Sequence, residues 1–358
     1  MADERDNPKQ AARTEQAAPQ AATQVAPGPH LFGGGFSTRR MMLDVCIGLL
    51  PATVAAIIVF QLYAVAQIVI CVASCVIAEA LFTKMRGRAL TIGDFSAVVT
   101  GLILAFSLPA TCPWWVSVIG SFAAIGLGKA VFGGVGQNIF NPAMVGRAFV
   151  MIAFTSFIGA SGYVAATEGA NANVTQTIPW QFSQSLPDAI TQATPMETFK
   201  QTGQVTPLVK LLLGNTNGSL GETSALALLL GGAYLLIRRV ASWEIPAGAA
   251  IGLLVVAGID NLLHTSSDWT VLHHLLGGAF LLGAMFIVTD PVTSPLTPKG
   301  KFTFGAVFGV LVMLMRLGTN YPEGVMFSVL LVNAITPLLN RWTIPRPVGG
   351  PTPAPAKK

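Results

Sequence analysis

Between residues 44 and 340 the chain falls into apolar runs, many of them long enough to cross a lipid bilayer, and this constrains its fold more than anything else in the sequence. Backbone amides and carbonyls in hydrocarbon must be satisfied inside the protein, so only helices and closed barrels span a membrane. A spanning helix takes about 20 mainly apolar residues. Ten of them stand out, at about 44–64, 66–82, 94–108, 114–132, 143–160, 223–238, 244–260, 271–288, 302–316 and 324–340. Of the 358 residues only 10% are charged and 52% are hydrophobic, far from the roughly 25% charged residues of a soluble domain. The expected fold is therefore an all-α integral membrane protein of about ten transmembrane helices. Several runs are short or carry Gly and Pro, as happens where helices pack closely or break around a cavity.

Cytoplasmic loops carry an excess of Lys and Arg, and this orients the chain. With the N-terminus inside, 18 of the 21 basic residues fall on the inner side, Arg86, Arg88, Lys129, Arg147, Arg238 and Arg239 among them. Lys200, Lys210 and Arg316 fall outside. Both termini are thus expected in the cytoplasm. The net charge of +5 has the same origin and does not argue for nucleic acid.

The expected organisation is a cytoplasmic tail over 1–40, a five-helix half over 41–160, an outer loop over 161–222, a second five-helix half over 223–342, and a short tail over 343–358. The first 30 residues are rich in Ala, Gln and Pro, with no apolar core of a signal peptide, and read as disordered. The long polar loop is of a length usually reserved for function or disorder. Cys46, Cys71, Cys75 and Cys112 lie in or beside apolar runs and read as small hydrophobes, since their spacing is no ligand signature. His30, His264, His273 and His274 show no ligand spacing either, and His273 and His274 read as interfacial residues on different helix faces.

The two halves share a loose pattern. FSLPATCP and GKAVFGGVGQNIFNPAMVGRAF in the first are matched by FIVTDPVTSP and KGKFTFGAVFGV in the second. An odd number of helices per half would set such repeats in opposite orientation, a device that builds a site between halves. Chance matching of Gly/Pro-rich segments is the competing reading.

Between the halves lies NGSLGETSALALLLGGAYLLIRR, residues 217–239. Ser219-Leu220-Gly221-Glu222 fits a capping box, with Ser219 accepting from a first-turn amide and Glu222 reaching back. The same position is a helix N-terminus, where amides and the positive dipole end suit a phosphate, and Thr223 offers a hydroxyl there. Elsewhere, Asn141-Pro142 and Asp290-Pro291 read either as turns or as the two parts of a site between repeats. Glu79 reads as a structural pair with Lys84, and Asp44 as a charge near the start of the first helix.

GSLGETSALALLLGGAYLLIRR, GKAVFGGVGQNIFNPAMVGRAF and FIVTDPVTSPLTPKGKFTFGAVFGVLVMLMRLGTNYPEGVMFSVLLVN together resemble the D-subunit family of the Rnf electron-transport complex. A related family, the B subunit of the sodium-translocating NADH:quinone oxidoreductase, shares the fold and the FNPA segment. The resemblance extends over most of residues 40–345. It implies that a flavin transferase joins FMN, through its phosphate, to the hydroxyl of Thr223, with Gly221, Glu222 and Ser224 around it, on the outer (periplasmic) face of the bacterial inner membrane. The acceptor in these families often reads Gly-Ala-Thr, where this chain has the Rnf-type Gly-Glu-Thr. The resemblance further implies a non-covalent riboflavin, for which Gln137, Asn138 and Asn141 offer amides able to pair with an isoalloxazine edge; a polar turn is the alternative for those residues.

The implied partners are an NADH- and flavin-binding subunit, a ferredoxin-type iron–sulfur subunit, an extracytoplasmic flavin subunit and two cluster-binding membrane subunits, besides membrane lipid. No nicotinamide fingerprint and no ferredoxin spacing occurs in this chain, so those chemistries belong to partners. On the residues alone, a secondary transporter or channel without redox cofactor fits ten helices and scarce charge equally well. The resemblance favours instead a flavoprotein subunit relaying electrons between NADH and ferredoxin sides, coupled to Na+ or H+ movement; within that class the B subunit of a sodium-translocating NADH:quinone oxidoreductase is the alternative, and the LGETSAL form favours Rnf.

Overall fold

The computed structural model describes residues 37–88, 90, 92–109, 112–155, 195–203, 205–214, 218–222, 224–263, 269–319 and 324–344. The two tails, much of the 161–222 loop, His30, His264 and Thr223 lie outside the described residues. Among those described, the secondary structure is helical, apart from one isolated antiparallel bridge between Pro109 and Ser219.

The first half opens with α1 (Thr38–Phe60) and α2 (Leu62–Met85), joined through Gln61 alone. Gln61 takes a φ of 51°, rare for a residue with a Cβ, and its N–H closes α1 on the Ile57 carbonyl. No polar linker marks this turn, so composition places it several residues too late. α3 (Ser96–Ser107) and α4 (Trp114–Ile125) follow, the latter prolonged by a π-helical turn over Gly126–Ala130. α5 (Pro142–Ala153) starts where Asn141 accepts from the amides of Ala143 and Met144, with Pro142 at the position that needs no donor. Two short helices, α6 (Pro195–Thr202) and α7 (Leu208–Leu213), belong to the loop between halves.

The second half holds α8 (Ala225–Ile237), α9 (Glu244–Leu263), α10 (Val271–Leu276), α11 (Phe280–Leu282) with a π turn over Gly283–Ile287, α12 (Pro298–Gly318) and α13 (Val325–Thr343). α1, α2, α9, α12 and α13 are long and apolar enough to cross a membrane. α3, α4, α5 and α8 are shorter apolar helices; twelve residues, the length of α3, rise only about 18 Å, short of a hydrocarbon core of about 30 Å. The run at 271–288, expected as one helix, is broken. Gly277 leaves the helical conformation, Gly278 takes a φ of 70°, and the buried Arg316 donates to the freed carbonyls of His274 and Gly277. Irregular backbone at this depth persists because protein groups satisfy it.

Packing relies on small residues that let backbones approach. α9 and α12 form the most extensive pair: a Cβ on Gly252 would lie 2.1 Å from the Ala306 carbonyl, and one on Gly309 2.1 Å from that of Ala249. α1 and α8 join the halves in the same way at Gly48 and Gly231. One apolar core, including Leu49, Leu104, Phe106, Phe280, Phe304 and Phe308, runs through both halves.

Several local readings are corrected. Asp44 is the seventh residue of α1 rather than a charge at its end; it is buried and bonds Tyr234 Oη at 2.9 Å and Arg238 at 3.4 Å, across the halves. His273 and His274 are both buried within the protein. His273 accepts from the Thr270 amide, bonds the Thr206 carbonyl and packs on Trp269, which stacks on Phe199 of α6. Glu79 pairs with Lys129 at 2.7 Å, not with Lys84. Five residues along a helix turn through about 140° beyond a full circle, which puts Lys84 on the exposed side while Glu79 faces α4.

Candidate cofactor sites

Two places in this framework have the chemistry to hold a cofactor. The first is the segment leading into α8. Its backbone docks on the end of α3: Leu220 N–H donates to Leu108 O at 3.3 Å and Gly221 N–H to Phe106 O at 2.8 Å. Gly221 is required by proximity, since a Cβ there would lie 2.8 Å from both Phe106 Cβ and Leu282 Cδ2. The segment is thus wedged between α3 of one half and α11 of the other. With these amides committed to α3, the helix starts later than the capping-box pattern implies, and its N-cap is Ser224, which accepts from Ala227 N–H at 3.3 Å. Ser219 is no cap: its hydroxyl donates to the Glu222 carboxylate.

Thr223 itself lies outside the described residues, but its neighbours Gly221, Glu222 and Ser224 are all buried. The Glu222 carboxylate is turned back onto Ser219 and Gly218, so the acid that replaces alanine in this motif is not directed into α8. Ser224 Oγ also donates to Leu212 O of α7 at 3.3 Å, bracing the segment against the intervening loop. A helix of 13 residues begins here, and the first-turn amides and positive dipole end of such a helix favour a phosphate. The surroundings fit a phosphoester on the intervening hydroxyl.

The second place is a cleft between the halves at the opposite ends of these helices, enclosing about 720 Å³ with its open mouth counted. Asn138, Asn141 and Pro142 from the first half and Asp290 and Pro291 from the second share its wall, with Val99, Ile103, Leu235 and Phe286 supplying apolar surface. A mostly apolar cleft with a few polar groups has the lining of a ligand site, although its free interior, about 70 Å³, is smaller than a planar ring system and would have to open to admit one. Asn141 is largely committed to capping α5, and its Nδ2 reaches Ile287 O at 3.5 Å. Asn138 donates to Phe140 O at 3.1 Å, leaving its carbonyl oxygen for other partners. Gln137 is exposed, folds over Gly133 and lines a neighbouring cavity instead. Asp290 lies in the turn after the π segment; burial pushes its carboxyl up to about 6, while hydrogen bonds from Val292 N–H and the Thr293 hydroxyl pull the other way.

Two charged groups were missed by the sequence reading. Lys129, counted with the loop charges, is 4% exposed; the π turn carries it inward, where Nζ lies 2.7 Å from Glu79 Oε1 and 2.6 Å from Ser96 Oγ. Arg147 is buried in α5, and its Nη1 has no hydrogen-bond partner among the described residues. The signal available for both was a charge inside or at the end of an apolar run, which is costly enough to suggest function.

An all-helical, multi-pass membrane protein, with a wedged segment at one end of its packed helices and a cleft at the other, is the class this geometry defines. The chain belongs to the NQR2, RnfD, RnfE family, whose sequence profile matches residues 24–349. It is 39% identical over 329 residues to the D subunit of the Na(+)-translocating ferredoxin:NAD(+) oxidoreductase complex of Acetobacterium woodii, covering 91% of this chain and 95% of that one. It is 37% identical over 322 residues to the D subunit of the proton-translocating ferredoxin:NAD(+) oxidoreductase complex of Clostridium ljungdahlii, covering 86% and 91%. The D subunit of the ion-translocating oxidoreductase complex of Stutzerimonas stutzeri is 39% identical over 327 residues, with 87% and 92% covered.

Proposed function

We propose that the chain is the D subunit of an ion-translocating ferredoxin:NAD+ oxidoreductase and carries FMN as a phosphoester on Thr223. The observation that carries this reading is the segment Gly218–Glu222, fixed to the end of α3 by main-chain bonds and delivering the next residue to the start of α8. FMN, when bound, accepts and donates electrons one or two at a time. The chain's own residues fix where that exchange takes place: Gly221 admits the close approach of α3 and α11, Ser224 caps α8, and Ser219 holds the Glu222 carboxylate back. The cleft walled by Asn138 and Asp290 takes a second, non-covalent flavin in this proposal, widening to admit the ring between its apolar walls.

The proposal includes ten membrane crossings in two inverted halves. Supporting it, the fourth apolar run of each half carries a buried cation near its C-terminal end, Lys129 bonding Ser96 at the start of α3 and Arg316 bonding the broken α10.

The test is co-expression with a flavin transferase and inspection of the denatured protein. A fluorescent band should appear on the gel, disappear in Thr223→Val and persist in Ser224→Ala, a change that weakens the cap of α8 by about 1 kcal/mol. A transporter without a redox cofactor gives no band in any of the three. An unmodified Thr223 peptide from a complex that still turns over would overturn the assignment.

A further inference from the structure

Beside the cleft between the halves, a separate cavity of about 790 Å³, open mouth included, lies where α2 ends against the π turn of α4. Its wall carries Arg86, Arg88 and Lys129 but only one carboxylate, Glu79. Lys129 and Glu79 satisfy one another at the floor. The two guanidinium groups have no carboxylate partner among the described residues; each is held by a main-chain oxygen, Arg86 Nη1 on Ala130 O and Arg88 Nη1 on Gly133 O, both at 2.6 Å. A guanidinium has five donors in a rigid fork, so each Arg retains donors after making that bond. The carbonyls orient both forks in advance, which reduces the ordering cost of taking up a ligand. Those carbonyls belong to a loop in which Gly133 and Gly134 take φ values of 127° and 117°, a path that side-chain-bearing residues rarely follow.

The surplus of two positive charges, presented as planar forks, suits a phosphate better than a carboxylate-bearing protein surface. Apolar residues beside the cavity narrow the ligand further. Met85 and Val131, next in the chain to the cavity residues Arg86 and Ala130, are 72% and 70% exposed, and a soluble phosphate has no use for them. Basic pockets at the ends of membrane helices favour lipid headgroups, while an acyl chain covers apolar surface alongside.

We propose that this cavity binds the phosphate of an anionic phospholipid, with Arg86 and Arg88 gripping the headgroup and an acyl chain lying along Met85 and Val131. The test is native mass spectrometry of the purified full chain, titrated in detergent with phosphatidylglycerol or with phosphatidylcholine, together with thermal shift in inorganic phosphate. One phosphatidylglycerol should bind at least about tenfold more tightly than phosphatidylcholine. At about 1 kcal/mol per basic residue, Arg86→Gln/Arg88→Gln should weaken it roughly 30-fold, and the single variant Arg88→Gln should show an intermediate loss if the double variant folds poorly. Equal affinity for the two lipids, or unchanged binding in a folded variant, would overturn the site. Arg-dependent stabilisation by inorganic phosphate without any preference for phosphatidylglycerol would overturn the lipid as its ligand.

Discussion

Replacing Gly221 by Ala tests the wedge on which the attachment segment depends. The new methyl would sit 2.8 Å from Phe106 Cβ and from Leu282 Cδ2, and 3.1 Å from Phe106 O. Leu282 Cδ2 is the end of a flexible side chain and yields at modest cost. Phe106 Cβ is fixed to the backbone of α3, so the segment must lift. Overpacking of this kind costs about 1–3 kcal/mol, and losing the Gly221 N–H to Phe106 O bond adds about 1 kcal/mol. Local opening should therefore become easier by about 2–4 kcal/mol, and amide exchange in the peptide spanning residues 218–224 should rise roughly 30- to 700-fold while α9 and α12 keep their protection. Adding Leu282→Ala should restore only part of the protection, because Phe106 remains. Hydrogen–deuterium exchange read by mass spectrometry makes the measurement. Exchange within about threefold of wild type would show that the segment is not held by this contact and that Thr223 is not positioned through it.

Lys129→Met removes the ammonium 2.7 Å from a carboxylate that is 3% exposed, and stability in an SDS-titrated unfolding assay should fall by about 3–5 kcal/mol. Glu79→Gln combined with Lys129→Met should recover much of that loss; a double variant as unstable as the single one would refute the pair as the cause. Asp290 binds its proton more tightly in the folded protein than its ordinary value of 3.8 allows. Its contribution to stability is thus fully present below about pH 4 and is lost as the pH rises through about 6. Asp290→Asn should flatten that part of the melting temperature against pH, and an unchanged profile would show that the carboxyl is well solvated.

Much of the framework was legible because it follows from short-range rules. Apolar runs identify a bilayer solvent; the helix starts at Asn141-Pro142 and Thr297-Pro298 rest on bonds to residues two or three positions on, a local signal that the run boundaries did not use. Gly221 to Ser224 could be recognised as a segment at the mouth of a helix, although its flavin chemistry came from family likeness rather than pattern. The capping-box reading failed because it weighs only local partners, whereas the amides of Leu220 and Gly221 are taken by Leu108 and Phe106. Glu79 offered two cations at local and distant range, and the distant one prevailed because the π turn brings it into the same buried volume.

By itself, then, the sequence determined the solvent of this protein, its helical character and its family, since these depend on composition and on neighbours within a turn or two. Tertiary structure alone decided that Asn138 and Asp290 share a cleft, that Arg316 mends a broken helix, and that Asp44 binds Tyr234 and Arg238. Those choices join residues up to 194 positions apart. Their energies come from removing polar groups from water, which happens only once the helices have packed.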